Sequence, residues 1–215
     1  MNAGIRISEI FYSLQGEART VGIPTVFIRL TGCPLRCGYC DTAYAFTGGV
    51  IYQPEQVLQE VASYNPGYVT VTGGEPLAQK SCLPLLTSLC DAQYEVSLET
   101  SGALDISKVD KRVSRVMDLK TPGSGEVEQN LFSNIDYLLP HDQVKFVICD
   151  EHDYQWAKLQ IEKFQLTKKV GEVLFSPSHG ALAPGVLADW ILRDRLSVRM
   201  QIQLHKYLWA ESEGR

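Results

Sequence analysis

Four times in this sequence a short run of apolar and β-branched residues ends in a polar or glycine-bearing group. Val69-Thr70-Val71 leads into Thr72-Gly73-Gly74-Glu75-Pro76, and Val96-Ser97-Leu98 leads into Glu99-Thr100-Ser101-Gly102. Val116-Met117-Asp118-Leu119 leads into Lys120-Thr121-Pro122-Gly123, and Val173-Leu174-Phe175 into Ser176-Pro177-Ser178-His179-Gly180. Such runs read as strands, and they alternate with longer segments of helical periodicity. Strands are expected over residues 5–12, 25–31, 68–72, 94–99, 115–119, 144–149, 172–176 and 198–204. Helices are expected over 54–64, 78–92, 151–164 and 184–195. Pro54 and Pro184 stand where a first helical turn tolerates a missing N–H, and Asp150 or Asp153 can cap the third helix.

Strands alternating with helices predict an α/β fold built on a parallel sheet. In such sheets ligands bind at the C-terminal ends of the strands. Four polar groups on that one rim point to a single large site. About six βα units in a chain of 215 residues leave a thin helical layer, so a partial (β/α)6 barrel fits better than an eight-fold one. Residues 120–135 read as a polar connection with at most a short helix. The whole of 1–215 is expected to be one domain, with a polar, frayed tail from about 210.

Composition narrows the partners. A net charge of −5 gives no general attraction to nucleic acid or to an anionic membrane. The basic stretch from Lys108 to Arg115 is interrupted by Asp110 and two valines, and reads as a solvated face. No apolar run approaches the ~20 residues that span a bilayer, and the N-terminus lacks the pattern of a secretory signal. A cytosolic location follows as the expectation. Six cysteines in a reducing compartment call for a metal, a redox role or simple burial before a disulfide framework.

Three of the six lie within eight residues, in Thr31-Gly32-Cys33-Pro34-Leu35-Arg36-Cys37-Gly38-Tyr39-Cys40-Asp41-Thr42. Gly32, Pro34 and Gly38 let the loop turn sharply enough to wrap one centre. Thiolates select zinc, cuprous ion or iron–sulfur clusters. A structural zinc site wants four ligands, and an electron-transfer cluster normally uses four cysteines. No fourth cysteine or histidine stands nearby; Cys82, Cys90 and Cys149 read as buried and unliganded. A cluster held by three cysteines leaves one iron open, and an open position usually means that something binds there. Counted with the rim motifs, the open-site cluster is the favoured of the three readings.

The C-x3-C-x2-C spacing, with an aromatic residue before the last cysteine, resembles the signature of the radical S-adenosylmethionine superfamily. That resemblance implies a 4Fe–4S cluster on Cys33, Cys37 and Cys40 whose open iron chelates S-adenosylmethionine, in a partial barrel of the radical S-adenosylmethionine type. Gly73-Gly74-Glu75-Pro76 is similar to the GGEP motif that holds the methionine amino group. Tyr39, Asp41, Asp118, Leu119, Lys120, Ser176, Pro177, Ser178 and His179 look like further contacts to that cofactor, beside Gly73, Gly74 and Glu75.

Ser8-Glu9-Ile10-Phe11-Tyr12-Ser13-Leu14-Gln15-Gly16-Glu17 is similar to the opening of 7-carboxy-7-deazaguanine synthases, and Cys40-Asp41-Thr42 to their CDT. The resemblance extends to Gln203-Leu204-His205-Lys206. It implies conversion of 6-carboxy-5,6,7,8-tetrahydropterin to 7-carboxy-7-deazaguanine with loss of ammonia, on the way to queuosine and other deazapurines. It further implies Mg²⁺ on Thr42 and substrate contacts from Leu14, Gln15, Gly16, Arg29 and Thr72. A homodimer and an electron donor such as flavodoxin or ferredoxin are implied as well. An arginine on so apolar a strand needs a partner, since a buried unpaired guanidinium is costly. Glu99 either positions a ligand or pairs structurally. Two alternatives remain: an enzyme that activates a glycyl-radical protein, and a non-enzymatic iron–sulfur or zinc module.

Overall fold

Period-two alternation sorts each parallel strand into a face packed on helices and a face turned inward. The structure, a computed structural model, describes residues 4–210. Among these, nine strands form one sheet: β1 (Ile5–Leu14), β2 (Pro24–Leu30), β3 (Val50–Tyr52), β4 (Tyr68–Gly73), β5 (Glu95–Thr100), β6 (Ser114–Asp118), β7 (Gln143–Ile148), β8 (Glu172–Pro177) and β9 (Arg199–Met200). Their order is β3-β1-β2-β4-β5-β6-β7-β8-β9. From β2 to β9 every pairing is parallel, whereas β1 runs antiparallel to both β2 and β3. The six longer parallel strands make the expected partial (β/α)6 barrel, with β3 and β9 as its edges.

The outward residues Val26, Ile28, Leu30, Val69, Val71, Val96, Leu98, Val144, Phe146, Ile148, Val173 and Phe175 are buried in one apolar core. Helices α1 (Pro54–Ser63), α2 (Cys82–Asp91), α3 (Glu151–Phe164), α4 (Leu166–Lys169) and α5 (Pro184–Asp194) supply its other side, through residues such as Val57, Leu86, Leu89, Tyr154, Ile161 and Leu187. The layer is thin, as expected. Only coil and turns join β5 to β6, and three 3-10 turns, without an α-helix, join β6 to β7. Inside the barrel Ala18, Val116 and Leu174 form a small apolar plug. Above it the inward residues Arg29, Thr72, Glu99, Asp118, Lys145 and Ser176 are polar.

The helix starts obey local chemistry. Pro54 and Pro184 occupy the first turns of α1 and α5. Asp150, rather than Asp153, caps α3, accepting from the Asp153 N–H at 2.9 Å.

Four expectations need correction. The second helix begins at Cys82, not 78, because Pro76–Ala78 closes a 3-10 turn and the Gln79 amide is bound to Arg6 and to the Thr31 carbonyl. The strand expected over 198–204 shrinks to two residues. Gln201 donates through its backbone to Phe175 but accepts through Oε1 from Ala18, which draws the chain off the sheet, and a helix α6 (Leu204–Trp209) follows. Within the basic stretch Arg115 is not solvated: it is buried in an ion pair with Asp142, Nη2 to Oδ2 at 2.9 Å. Cys82 and Cys90 are buried, whereas Cys149 is only half-buried. Strand β3 and helix α4 were not expected. Most of the tail from about 210 lies outside the described residues.

Candidate active site

The polar strand ends and the cysteine loop enclose a cavity of about 740 Å³ at the C-terminal rim of the barrel. The strand register brings its side chains abreast. Arg29 on β2 pairs with Thr72 on β4, and Asp118 on β6 pairs with Lys145 on β7. All the expected site residues line the cavity except Glu75 and Leu119.

The cysteine loop leaves β2 through Gly32, whose φ of 97° lies in the left-handed region. Its backbone is pinned along its length. Gly32 N donates to Ala45 O, Gly38 N to Ser124 O and Cys40 N to Cys37 O, at 2.8, 2.9 and 3.1 Å. The Arg36 guanidinium stacks over the Phe46 ring at 4.2 Å. Cys33, Cys37 and Cys40 are free thiols on the cavity wall. Burial pushes the Cys33 and Cys37 thiols above the usual range, and at Cys37 the Lys120 ammonium works against that shift.

The donor set fits an iron–sulfur cluster better than one ion. Tetrahedral zinc, with Zn–S near 2.3 Å, would hold its sulfurs about 3.8 Å apart. Among the described residues, Asp150, His152 and Asp153 form the trio whose ligand atoms lie within 4.8 Å of one another; the three cysteines do not meet that spacing. Three thiols on one cavity wall could hold three irons of a cubane cluster and leave the fourth for a ligand.

Directly against the start of the cysteine loop, Gly73 ends β4 and Gly74 follows it. A Cβ on Gly73 would lie 2.2 Å from Leu30 O, and Gly73 has a φ of 142°. Glu75 points away from the cavity and is fully buried. Its carboxylate accepts from Leu77 N, Thr100 Oγ1, and the backbone and hydroxyl of Ser101. It braces the glycine turn from behind. Leu119 likewise turns its side chain into the core.

Lys120 Nζ lies 2.8 Å from Asp118 Oδ2 and 5.7 Å from the Tyr39 ring centroid. Burial would lower its pKa, but the Asp118 carboxylate holds it above the ordinary lysine value. Asp118 Oδ1 and the Tyr39 hydroxyl are buried on this wall without a protein partner. A ligand with hydrogen-bond donors, as S-adenosylmethionine has in its ammonium and ribose hydroxyls, would satisfy the carboxylate oxygen. Ser176, Pro177, Ser178 and His179 close this half.

The opposite half is built around Glu99. Its Oε2 accepts from Thr72 Oγ1 at 2.8 Å, and Gln15 Nε2 donates to Thr70 Oγ1 at 3.1 Å and reaches Glu99 Oε1 at 3.5 Å. Gln15 Oε1 accepts from Glu17 N at 3.2 Å. The Gln15 amide is therefore committed to shaping its own turn. Arg29 has the partner it needs: Nε donates to Glu9 Oε1 at 2.7 Å, and the guanidinium lies 5.7 and 5.8 Å from the Phe11 and Tyr44 rings. Leu14 and Gly16 complete the wall, and the Thr42 hydroxyl donates to Asp41 Oδ1 at 2.8 Å.

Several cavity residues escaped the sequence reading. Lys145 pairs with Glu17 at 2.8 Å and lies 3.9 Å from Asp118. Gln203, His205 and Lys206 reach the mouth from the start of α6. The signal for Lys145 was a lone lysine inside an apolar strand, Gln143-Val144-Lys145-Phe146-Val147. The signal for the other three was the family resemblance that extends to Gln203-Leu204-His205-Lys206, while the strand expected over 198–204 hid their place at the mouth.

Comparison with known proteins agrees with this geometry. A model of the radical SAM superfamily matches residues 27–120. A 7-carboxy-7-deazaguanine synthase of Chlorobaculum tepidum is 44% identical over 210 residues, covering 96% of this chain and 95% of its own. One from Koribacter versatilis is 40% identical, covering 98% and 100%. The crystal structure of QueE from Escherichia coli superposes with a TM-score of 0.76 at 21% identity, over 94% and 95% of the two chains, a likeness of fold. The chain belongs to the 7-carboxy-7-deazaguanine synthase family of the radical SAM superfamily.

Proposed function

We propose that this chain converts 6-carboxy-5,6,7,8-tetrahydropterin to 7-carboxy-7-deazaguanine and ammonia, a step towards queuosine and related deazapurines. The observation that carries the reading is the convergence of three free thiols, the Gly73–Gly74 turn and the Arg29–Thr72–Glu99 wall on one cavity. Members of the superfamily work with a 4Fe–4S cluster and S-adenosylmethionine, and this family adds Mg²⁺. Bound together, the cluster and S-adenosylmethionine supply a primary carbon radical able to take hydrogen from an unactivated C–H bond.

The protein's part is to hold, orient and exclude water. Cys33, Cys37 and Cys40 ligate the cluster. The backbone of Gly73 and Gly74 takes the methionine end of the cofactor, with Glu75 and Leu119 supporting from behind the wall. Tyr39, Asp41, Asp118, Lys120, Ser176, Pro177, Ser178 and His179 surround the rest. Arg29 brings positive charge and planar donors to the substrate carboxylate or pterin edge. Thr72, Leu14, Gly16 and the turn shaped by Gln15 complete the pterin pocket. Thr42 would supply one hydroxyl to Mg²⁺, an ion that needs few protein ligands.

The finer partners follow from the same reading: a flavodoxin or ferredoxin as reductant, a homodimeric assembly, a cytoplasmic location and a single domain over 1–215. Among the described residues no helix is long and apolar enough to cross a membrane. Anaerobic incubation with S-adenosylmethionine, dithionite, Mg²⁺ and the tetrahydropterin tests the function. Ammonia and the deazapurine are expected in equal amounts, and Cys37→Ala should abolish both. A reconstituted cluster that cleaves S-adenosylmethionine yet leaves the pterin intact would refute the substrate assignment.

A further inference from the structure

The start of α6 is sewn to both sides of the cavity mouth. Leu204 N donates to Gly16 O at 3.0 Å, and Gln201 Oε1 accepts from Ala18 N at 2.8 Å. The His205 ring fills the space beside Gly16, where a Cβ would meet Nδ1 at 2.1 Å. These contacts fix the segment on the turn that follows β1. From there two side chains cross to the cysteine loop. Gln203 Nε2 and Lys206 Nζ each lie 3.1 Å from Asp41 Oδ2. The other oxygen of the same carboxylate, Oδ1, accepts from the Thr42 hydroxyl at 2.8 Å.

Asp41 is thus held at three points, two of them from a segment 162 residues away in sequence. The Lys206 side chain is 14% exposed and that of Asp41 43%, so the carboxylate stands at the rim of the mouth and is fixed by its three partners rather than by burial. A hydroxyl has one proton and two lone pairs. With its proton directed to a fixed Asp41, Thr42 keeps its lone pairs turned elsewhere, in the orientation that a cation ligand needs. Hydrogen bonds behind a metal ligand set its orientation in this way.

We infer that Gln203 and Lys206 are positioning residues which, by gripping Asp41, orient the Thr42 hydroxyl towards the cation and join the C-terminal segment to the cation site. The inference rests on the reading of Thr42 as the Mg²⁺ ligand.

Mn²⁺ can stand in for Mg²⁺, with its free concentration read by electron paramagnetic resonance. The measurement uses the holoenzyme with its cluster oxidised, in the presence of S-adenosylmethionine and the tetrahydropterin. The double variant Gln203→Leu/Lys206→Met should bind Mn²⁺ about tenfold more weakly or worse, as is typical when the partners behind a ligand are lost. Lys206→Met alone should show a smaller loss, and Lys206→Arg should restore most of the affinity. Cluster absorbance reports that each variant is folded and loaded, and the single variants decide the matter if the double one is not. Thr42→Val separates the two claims. If it weakens Mn²⁺ binding while the Gln203 and Lys206 variants bind as the native protein does, the positioning role is overturned and the ligand stands. If Thr42→Val itself binds as the native protein does, the ligand reading fails and the positioning role falls with it.

Discussion

The backbone of Gly74 rests directly on the backbone of Gly32: a Cβ on Gly74 would lie 2.2 Å from the Gly32 carbonyl oxygen and 2.8 Å from Cys33 Cβ. Glu75 N donates to that same carbonyl at 2.8 Å. The cysteine loop and the glycine turn are therefore one interlocked unit, and neither can shift alone.

Gly74→Ala should separate them. The clash is with backbone, so no flexible side chain can relieve it, and overpacking of this kind costs about 1–3 kcal/mol. Thermal unfolding should report that loss, and S-adenosylmethionine affinity should fall with it. Gly67→Ala is the control, since it has no positive φ and nothing within 4 Å. It should stay within about 0.5 kcal/mol of the native protein. Equal behaviour of the two variants would refute the interlock.

Glu75→Gln tests the brace behind the turn. A carboxylate can accept from all of the donors around Glu75, whereas an amide presents two hydrogens of its own to some of them. A buried N–H or O–H left without an acceptor costs about 1–3 kcal/mol. Stability in urea should drop by that order. S-adenosylmethionine affinity should drop too, because Gly74 is set by its neighbour, even though Glu75 does not face the cavity. Lost affinity with unchanged stability would instead mark Glu75 as a direct ligand contact.

What the sequence could and could not disclose follows from the range of the interactions. Strands such as Val144–Ile148 betray themselves by period two, and helices α1 and α5 by their first-turn prolines, because these are local matters. The cysteine loop and the Gly-Gly turn were likewise legible, their chemistry being contained in a few consecutive residues. Arg115 looked like one of a solvated basic run, but its partner Asp142 lies 27 residues on and is brought beside it by the sheet. Lys145 meets Glu17 across 128 residues, and Gln203 meets Asp41 across 162. Such pairs depend on how the sheet curls into its partial barrel, which no short pattern encodes. The expected strand over 198–204 failed for a similar reason: the bond that Gln201 Oε1 accepts from Ala18 N, in the turn after β1, outweighs its β-forming composition.

His205 should make docking of the C-terminal segment sensitive to acid. Burial against the turn after β1 lowers its pKa, with Glu17 and Asp41 opposing only in part. In the unfolded chain the imidazole titrates near its ordinary value of about 6.5. The unfolded state therefore binds the proton first as pH falls. The stabilisation is fully present above about pH 6.5 and is lost as pH falls through the lower folded value. Native protein should lose more stability between pH 7.5 and 5.5 than His205→Gln does, as measured in parallel urea titrations. Superimposable pH profiles would show that the ring is not desolvated.

Lys145 joins the two halves of the cavity, and its removal should be felt in both. Its ammonium lies between Glu17, at 2.8 Å, and Asp118, at 3.9 Å, and all three side chains are less than 15% exposed. Burial by itself would favour the neutral amine, but Glu17, Asp118 and Glu99 keep the pKa above the ordinary lysine value. Lys145→Met preserves length and bulk while leaving the carboxylates without their shared cation. Breaking a buried pair from one side costs about 3–5 kcal/mol, chiefly because the remaining charge is uncompensated. Glu17→Gln removes one of those charges. The double variant should therefore be less destabilised than the sum of the single ones, by an interaction energy of about 0.5–3 kcal/mol. Urea unfolding of the four proteins closes the cycle, and additive losses would mean that Glu17 and Lys145 do not depend on each other. Binding supplies a second reading of the same variant. Asp118 lies on the Tyr39 and Lys120 wall and Glu17 on the wall with Gln15, so Lys145→Met should weaken both S-adenosylmethionine and the pterin. Glu17→Gln, which leaves the Asp118–Lys120 pair intact at 2.8 Å, should weaken the pterin more than the cofactor.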